Sequence, residues 1–530
     1  MIIDSHVHLP PLGIPQKWDA LLDGAAKNKI NLMLVSHLGD WSGYPAAQVV
    51  REANAAAKAF ADYAKGRVLW QAYLNPQLDN WREELENCIK NGACGIKLWI
   101  SLKDNAGSLG NTIAVLQSAG QYKLPVLIHT FNRTDRNRPG EISIREFVQL
   151  SCSVPDCVMI AAHAGGNWRQ SLEMLKKCGE NVYLDISGGY PDYEMLTTLC
   201  RTEGAERLLF GSDALGRSFA SQTAKVIFAD IDEHAKAGIF WKNAKKVYNI
   251  ENIPALNGLE KKTQRKTSLP DLTEEHFCFC GFWPFWESPC RNPETLNQIL
   301  TENHIRKAYT GSLDGIFRLD LLAANRKFLK SCKGLDRIAP LATLNPAAHN
   351  WRQLVSDTLE QGFAGGLISP YLHNWRLDDP TFTDFFQACA AAGLKLWVNC
   401  DLADHRFRHV SLAARPVAAD ELSAFMRGAP VNCYVFQGIC PQNIMMLSKQ
   451  FSNDQRFRFE FSRLTDSQTA IQDILSGFGE KRLVAGSEFP FRHIKETRYV
   501  IRERKPAVQS GNCKSNKENL NYGKFDYCNV

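Results

Sequence analysis

Along the first 250 positions, short continuous apolar runs alternate with longer stretches whose apolar residues recur at helical spacing. The runs lie at 2–8, 31–36, 67–73, 94–99, 124–129, 157–163, 181–185 and 207–213. Helical patterns lie between them at 18–27, 46–64, 80–90, 108–121, 142–150, 169–177 and 193–201. Runs that are apolar throughout, without alternation, suit strands buried on both faces, as in a parallel sheet. Eight β/α units in about 250 residues predict an α/β protein of the TIM (β/α)8-barrel class.

Beyond residue 251 the periodicity fails, and the basic run Lys261-Lys262-Thr263-Gln264-Arg265-Lys266 ahead of Pro270 reads as a connector. The pattern then returns with local echoes of the first half. Leu74-Asn75-Pro76, with Trp81-Arg82 behind it, recurs as Leu344-Asn345-Pro346 with Trp351-Arg352. Likewise Arg207-Leu208-Leu209-Phe210-Gly211-Ser212-Asp213 recurs as Arg482-Leu483-Val484-Ala485-Gly486-Ser487-Glu488. The expectation is two tandem barrels, 1–251 and 276–505, joined by a linker at 252–275 and followed by a flexible tail at 506–530.

Composition narrows the partners. At 530 residues, 45% hydrophobic and 22% charged, the chain has room for two large cores. A net charge of +6 from scattered basic residues does not point to nucleic acid. No apolar run approaches the roughly 20 residues that span a bilayer, and Asp4 and His6 interrupt the start before a signal-peptide core could form. The 16 cysteines show no framework spacing, and Cys278-Phe279-Cys280 lacks a matching pair for a zinc knuckle. Reduced cysteines in apolar stretches predict a cytoplasmic protein.

The candidate chemistry sits at strand ends. His6 and His8 are two apart on a strand and share a face. Lys97, His129, His163 and Asp213 close the fourth, fifth, sixth and eighth runs. In a TIM barrel those ends converge on the face that carries the active site. Any one of these residues alone reads as a surface or capping residue; a set at successive strand ends reads as a site.

The ordered motifs Asp4-Ser5-His6-Val7-His8, Gly95-Ile96-Lys97-Leu98, Ile128-His129, Ala162-His163-Ala164-Gly165-Gly166, Tyr183-Leu184-Asp185-Ile186-Ser187 and Leu209-Phe210-Gly211-Ser212-Asp213 resemble the amidohydrolase superfamily. The resemblance is to its amidohydrolase-related branch, which holds aminocarboxymuconate semialdehyde decarboxylases, dihydroxybenzoate decarboxylases and a pyrone-dicarboxylate lactonase. It implies that His6, His8, His129 and Asp213 hold a divalent metal, zinc, as one ion rather than two. Asp213 would be the catalytic base, and His163 would contact substrate or water. Lys97 would bridge two metals as a carbamate, pair as an ammonium with a substrate carboxylate, or be an ordinary barrel lysine. Arg133 and Arg136, in the loop after His129, suit a substrate carboxylate; a solvated charged loop is the other reading.

The implied function is hydrolysis of a small substrate, carboxylated or not, by a metal-activated water. The alternatives are non-oxidative decarboxylation on the same site or a non-catalytic ligand-binding scaffold. In the second barrel Lys97 falls against Leu367, His129 against Asn399, His163 against Gln437 and Asp213 against Glu488, and the His-x-His segment becomes Phe277-Cys278-Phe279-Cys280. That copy is expected to be silent and to pair with the first barrel within the chain, with homo-oligomerisation left open.

Overall fold

The computed structural model describes residues 1–102, 108–134, 136–189, 192–256, 272–404, 406–412, 415–466 and 482–503. The expected tail at 506–530 and most of the expected linker lie outside the described residues. The chain divides into two compact units, Met1–Gly189 with Glu194–Lys262, and Tyr190–Tyr193 with Thr263–Val530. Among the described residues no helix is long and apolar enough to cross a membrane.

In the first unit the strands are β1 (Ile3–His8), β2 (Leu32–Ser36), β3 (Val68–Trp70), β4 (Ala72–Leu74), β5 (Ile96–Leu98), β6 (Val126–Ile128), β7 (Met159–Ala161), β8 (Val182–Asp185) and β9 (Leu208–Leu209). They form parallel sheets in chain order, β1-β2-β3 and β4 through β9. The run expected at 67–73 is thus split at Gln71. Its first half pairs with β2 and its second with β5, and Gln71 N still donates to Val35 O at 2.8 Å. Past β9 the chain continues alongside β1: Ser5 N donates to Phe210 O at 2.9 Å and Asp213 N to His6 O at 2.7 Å. The intervening segments are helices such as Trp18–Lys27, Ala47–Tyr63 and Ser108–Gln121, close to the expected bounds. Burial on both faces of β1, β2, β5, β6 and β7 accounts for their lack of alternation.

The second unit holds a nearly closed eight-stranded parallel barrel: β10 (Glu274–Cys280), β11 (Lys307–Ser312), β12 (Ile338–Leu344), β13 (Gly365–Ile368), β14 (Leu396–Asn399), β15 (Tyr434–Gln437), β16 (Phe457–Glu460) and β17 (Leu483–Val484), again in chain order. His276 N to Ala485 O and Phe279 N to Phe489 O, both 2.7 Å, join its two edges.

The two units repeat individual contacts. Asn54 in the first exchanges two hydrogen bonds with the backbone of Tyr73; Asn325 does the same with Thr343. Arg207 Nε donates to Val182 O, and Arg482 Nε to Phe457 O. Ser212 N donates to Asp4, and Ser487 N to Glu275. Asp213 and Glu488 both lie in the left-handed region, at φ 57° and 59°.

The strand register corrects one expected correspondence. Ile128 pairs with Ala161, and Val398 with Phe436. Gln437 therefore matches Ala162, and His163 matches Gly438. Both of the latter have positive φ, 58° and 79°, where the chain leaves the strand.

Asn325 is buried and bonds both the backbone N–H and the C=O of Thr343. Asn325→Ala should lower the unfolding free energy by about 2–4 kcal/mol, since each buried orphan costs roughly 1–3 kcal/mol. Urea denaturation reads this, and a loss under about 0.5 kcal/mol would contradict the clamp.

Candidate metal centre

Strand geometry assembles the site. His6 and His8 share a face of β1, and Lys97 on the buried β5 brings its Nζ to 3.0 Å from His6 Nε2. Each imidazole of the His-x-His pair is held by its Nδ1. His6 Nδ1 lies 2.7 Å from Asp185 Oδ2, and His8 Nδ1 lies 2.9 Å from Ser36 Oγ. Their Nε2 atoms then face one another at 2.9 Å, with Asp213 Oδ1 3.8 Å from His6 Nε2 and 3.6 Å from His8 Nε2. Ligand atoms of His6, His8 and Asp213 all lie within 4.8 Å of one another. Asp213 is the most open of the three, its side chain 20% exposed.

His129 stands outside that group. Its Nε2 is 3.1 Å from Glu141 Oε1, and its Nδ1 is 3.2 Å from His163 Nε2. His163 in turn sets its Nδ1 against Ser187, 3.1 Å from Oγ and 3.4 Å from the carbonyl oxygen. Ser187 Oγ donates a short hydrogen bond to Asp185 and lies 2.9 Å from His6 Nδ1. One serine hydroxyl thus ties the first-strand and sixth-run histidines to one carboxylate. His6, His163 and Asp185 also satisfy the spacing for a metal group, but Ser187 already fills the space among them.

Burial sets the protonation states. It pushes His6, His8 and His163 well below the ordinary imidazole value, with Lys97 and neighbouring histidines adding to the effect. It lowers His129 too, although Glu141 pulls the other way. Neutral imidazoles are the metal-binding form. Burial also brings Lys97 down to about 8 against the attraction of Asp213 and Asp185. Glu141 is the opposite case. Burial opposes its ionisation, yet hydrogen bonds and charges from His129 and Arg133 hold its carboxyl below the usual range.

Two neutral imidazole nitrogens and a carboxylate oxygen turned to a common point fit a divalent transition ion. The Asp185 and Ser36 partners behind the rings are the outer contacts that such ligands ordinarily need.

Of the two arginines expected at a substrate carboxylate, Arg133 directs Nε and Nη2 at the two oxygens of Glu141, each at 3.1 Å. Its guanidinium stacks 4.5 Å over the Phe131 ring. Arg136 is exposed. Sequence reasoning missed Asp185, Ser187, Ser36 and Glu141 as members of the site. Asp185-Ile186-Ser187 had a readable signal, a carboxylate closing a strand run; Glu141 had none.

Two glycines are sterically required. A Cβ on Gly211 would lie 2.2 Å from Asp185 Oδ1 and 2.7 Å from His6 Cβ, and one on Gly188 would lie 2.4 Å from His163 Nδ1.

Residues 3–250 match the family model described as Amidohydrolase. No curated protein matches the sequence. Similar solved structures include a 2,6-dihydroxybenzoate decarboxylase from Rhizobium, at 16% identity over 47% of this chain and 99% of that one, TM-score 0.38. A 5-carboxyvanillate decarboxylase from Sphingomonas paucimobilis is 14% identical over 47% and 99%, TM-score 0.38. A 4-oxalomesaconate hydratase from Rhodopseudomonas palustris is 15% identical over 47% and 96%, TM-score 0.35.

At the matching place in the second unit, Phe277 and Phe279 replace the imidazoles and are buried. Phe279 packs on Phe491, which packs on Trp283 and Trp286. Glu488 is gripped by Arg463 at 3.3 Å and Arg492 at 2.9 Å. Glu460 and Ser462 keep the arrangement of Asp185 and Ser187: Ser462 N and Oγ both donate to the Glu460 carboxylate, at 2.5 and 2.7 Å.

Gly211→Ala should displace Asp185 and His6 and cost about 1–3 kcal/mol by overpacking. Gly110→Ala, on a helix with open space at its Cβ, should be neutral or stabilising. Equal melting temperatures for the two variants would contradict the steric reading. A second outcome concerns pH. Burial, with Glu275 and Glu488 nearby, raises Glu460 to about 8. The folded protein therefore binds a proton that the unfolded chain has released, so stability falls as pH rises from the ordinary carboxyl range through about 8. Glu460→Gln should flatten this dependence and gain on the wild type at pH 8–9; denaturation curves at pH 5 and pH 9 that shift equally in both proteins would exclude it.

Proposed function

We propose that the first unit is an amidohydrolase-type (β/α)8 barrel that holds a divalent metal, zinc as a single ion, and hydrolyses a small substrate, carboxylated or not, in the cytoplasm. The convergence of His6 Nε2, His8 Nε2 and Asp213 Oδ1 supports this most directly. The ion supplies Lewis-acid polarisation of a substrate oxygen and a water of lowered pKa. Asp185 and Ser36 fix which ring nitrogens face inward. Asp213, the most open member of the group with its side chain 20% exposed, acts as general base. His163 borders the same space, held by Ser187, and orients substrate.

We read the second unit as a tandem, degenerate barrel. The repeated Asn54/Asn325, Arg207/Arg482 and Asp4/Glu275 contacts support duplication. The phenylalanines at the histidine positions and the double arginine grip on Glu488 support its silence. Pairing of the two barrels in place of a subunit contact is part of the same proposal.

Non-oxidative decarboxylation is the second reading. Lys97 favours it: a wholly buried amine beside His6 suits a substrate carboxylate held for loss. Carbon dioxide release from aromatic or dienoic acids, against water uptake into product, separates the two.

Elemental analysis of the purified full chain should find about one equivalent of transition metal. His6→Ala and Asp213→Asn should each fall below about half an equivalent and lose activity, with far-UV dichroism unchanged. Wild type below that level, with stability indifferent to either substitution, would favour the scaffold and overturn the enzyme reading.

A further inference from the structure

Glu141 has no part in the expected ligand set, yet it is among the most thoroughly engaged carboxylates of the first unit. Its side chain is 1% exposed. Oε1 receives His129 Nε2 and Arg133 Nη2, each at 3.1 Å; Oε2 receives Arg133 Nε at 3.1 Å and Arg138 N at 2.8 Å. The loop around it is fixed at several points. Phe131 N donates to Ile142 O, Asn137 Nδ2 to Phe131 O, and Arg133 N to Asn137 Oδ1.

An ionised carboxylate has no proton to give, so the bond to His129 requires the hydrogen on Nε2. Nδ1 is then left with its lone pair, directed at His163 Nε2. His163 is in the matching state, because Ser187 Oγ gives its only proton to Asp185 and must accept from His163 Nδ1. Two basic nitrogens therefore face each other at 3.2 Å, in front of His6, whose ring centroid is 5.3 Å from that of His163.

The chain carries its own comparison. Glu141 stands two residues before the N-cap Ser143 of the helix Ile144–Ser153. Two residues before Ala418, the N-cap of the matching helix Ala419–Gly428, stands Pro416. There His129 has become Asn399, whose Nδ2 turns to Ser369. The Asp185–Ser187 pair, by contrast, is kept as Glu460–Ser462 although both histidines it serves are gone. That pair therefore belongs to the strand end, whereas Glu141 goes with the imidazole.

We propose that Glu141, locked by Arg133, is a positioning residue that keeps the Nδ1 lone pair of His129 available, so that His129 joins His6, His8 and Asp213 as a further ligand when metal binds and raises the affinity of the centre; this rests on the metal-site reading above. Arg133 is accordingly the buttress of Glu141.

The test is zinc titration of apo full-length protein against a competing chelator, with wild type, Glu141→Gln, Glu141→Asp and Arg133→Gln. Wild type should bind. Glu141→Gln should bind about 10–100-fold more weakly, the usual range for an outer partner of a ligating histidine. Glu141→Asp should recover part of the loss, and Arg133→Gln should show a smaller one. The cobalt(II) form should show a changed visible spectrum in Glu141→Gln. Apo melting temperature and dichroism establish that each variant folds; if Glu141→Gln does not, Glu141→Asp and Arg133→Gln carry the comparison. Unchanged affinity and an unchanged cobalt spectrum in the folded variants overturn the role of Glu141. Failure of the wild type to bind zinc or cobalt overturns the metal-site reading instead.

Discussion

The 2.7 Å bond between His6 Nδ1 and Asp185 is the contact on which the rest of the centre depends. It joins the first strand to the end of β8, far apart in the chain and on different strands of the unit. By holding Nδ1 it turns Nε2 inward toward His8, Lys97 and Asp213. The bond tolerates no bulk beside it, which is why Gly211 stands where a Cβ would collide with both partners. Ser187 extends the same contact to His163, so a perturbation at Asp185 reaches two histidines at once.

Around that contact the unit keeps a cluster of buried polar groups that would be costly anywhere else. Asp4 is driven to about 7 by burial and is still given backbone donors from Ser212 and His6. Lys97, wholly buried, is brought down to about 8. Four neutral imidazoles share the same space. The second unit shows the opposite solution on a similar strand plan: aromatic rings fill the space, and buried charges are paired, Glu488 with Arg463 and Arg492, and Asp401 with Arg408 and Arg463.

Much of this arrangement is legible in the sequence because strand ends are legible. Continuous apolar runs of five to seven residues mark strands buried on both faces, so the residue that closes each run is placed on one face before any coordinates exist. That logic places His6, His8, Lys97 and Asp213 near one another, and it brings His129 and His163 to the same neighbourhood. It fails for side chains that act from loops. Glu141 belongs to a charged loop with three arginines and reads as solvent-exposed; only the fold shows it buried under His129. The same blindness lets Arg133 read as a substrate ligand when its fork is directed at Glu141. The split at Gln71 was also invisible, because one apolar run can serve two neighbours without changing its composition. The one-residue shift of His163 from Gln437 to Gly438 has a similar origin: register is set by ladder bonds, and the eye aligns similar polar residues.

The proposed centre holds one cation between His6, His8 and Asp213 at the strand ends of the first unit. Anomalous diffraction from zinc-loaded crystals of the full chain, recorded on both sides of the zinc edge, measures it most directly. A peak is expected about 2.0–2.2 Å from His6 Nε2, His8 Nε2 and an Asp213 carboxylate oxygen. A map with no peak there, or with zinc only on surface cysteines or histidines, would contradict it.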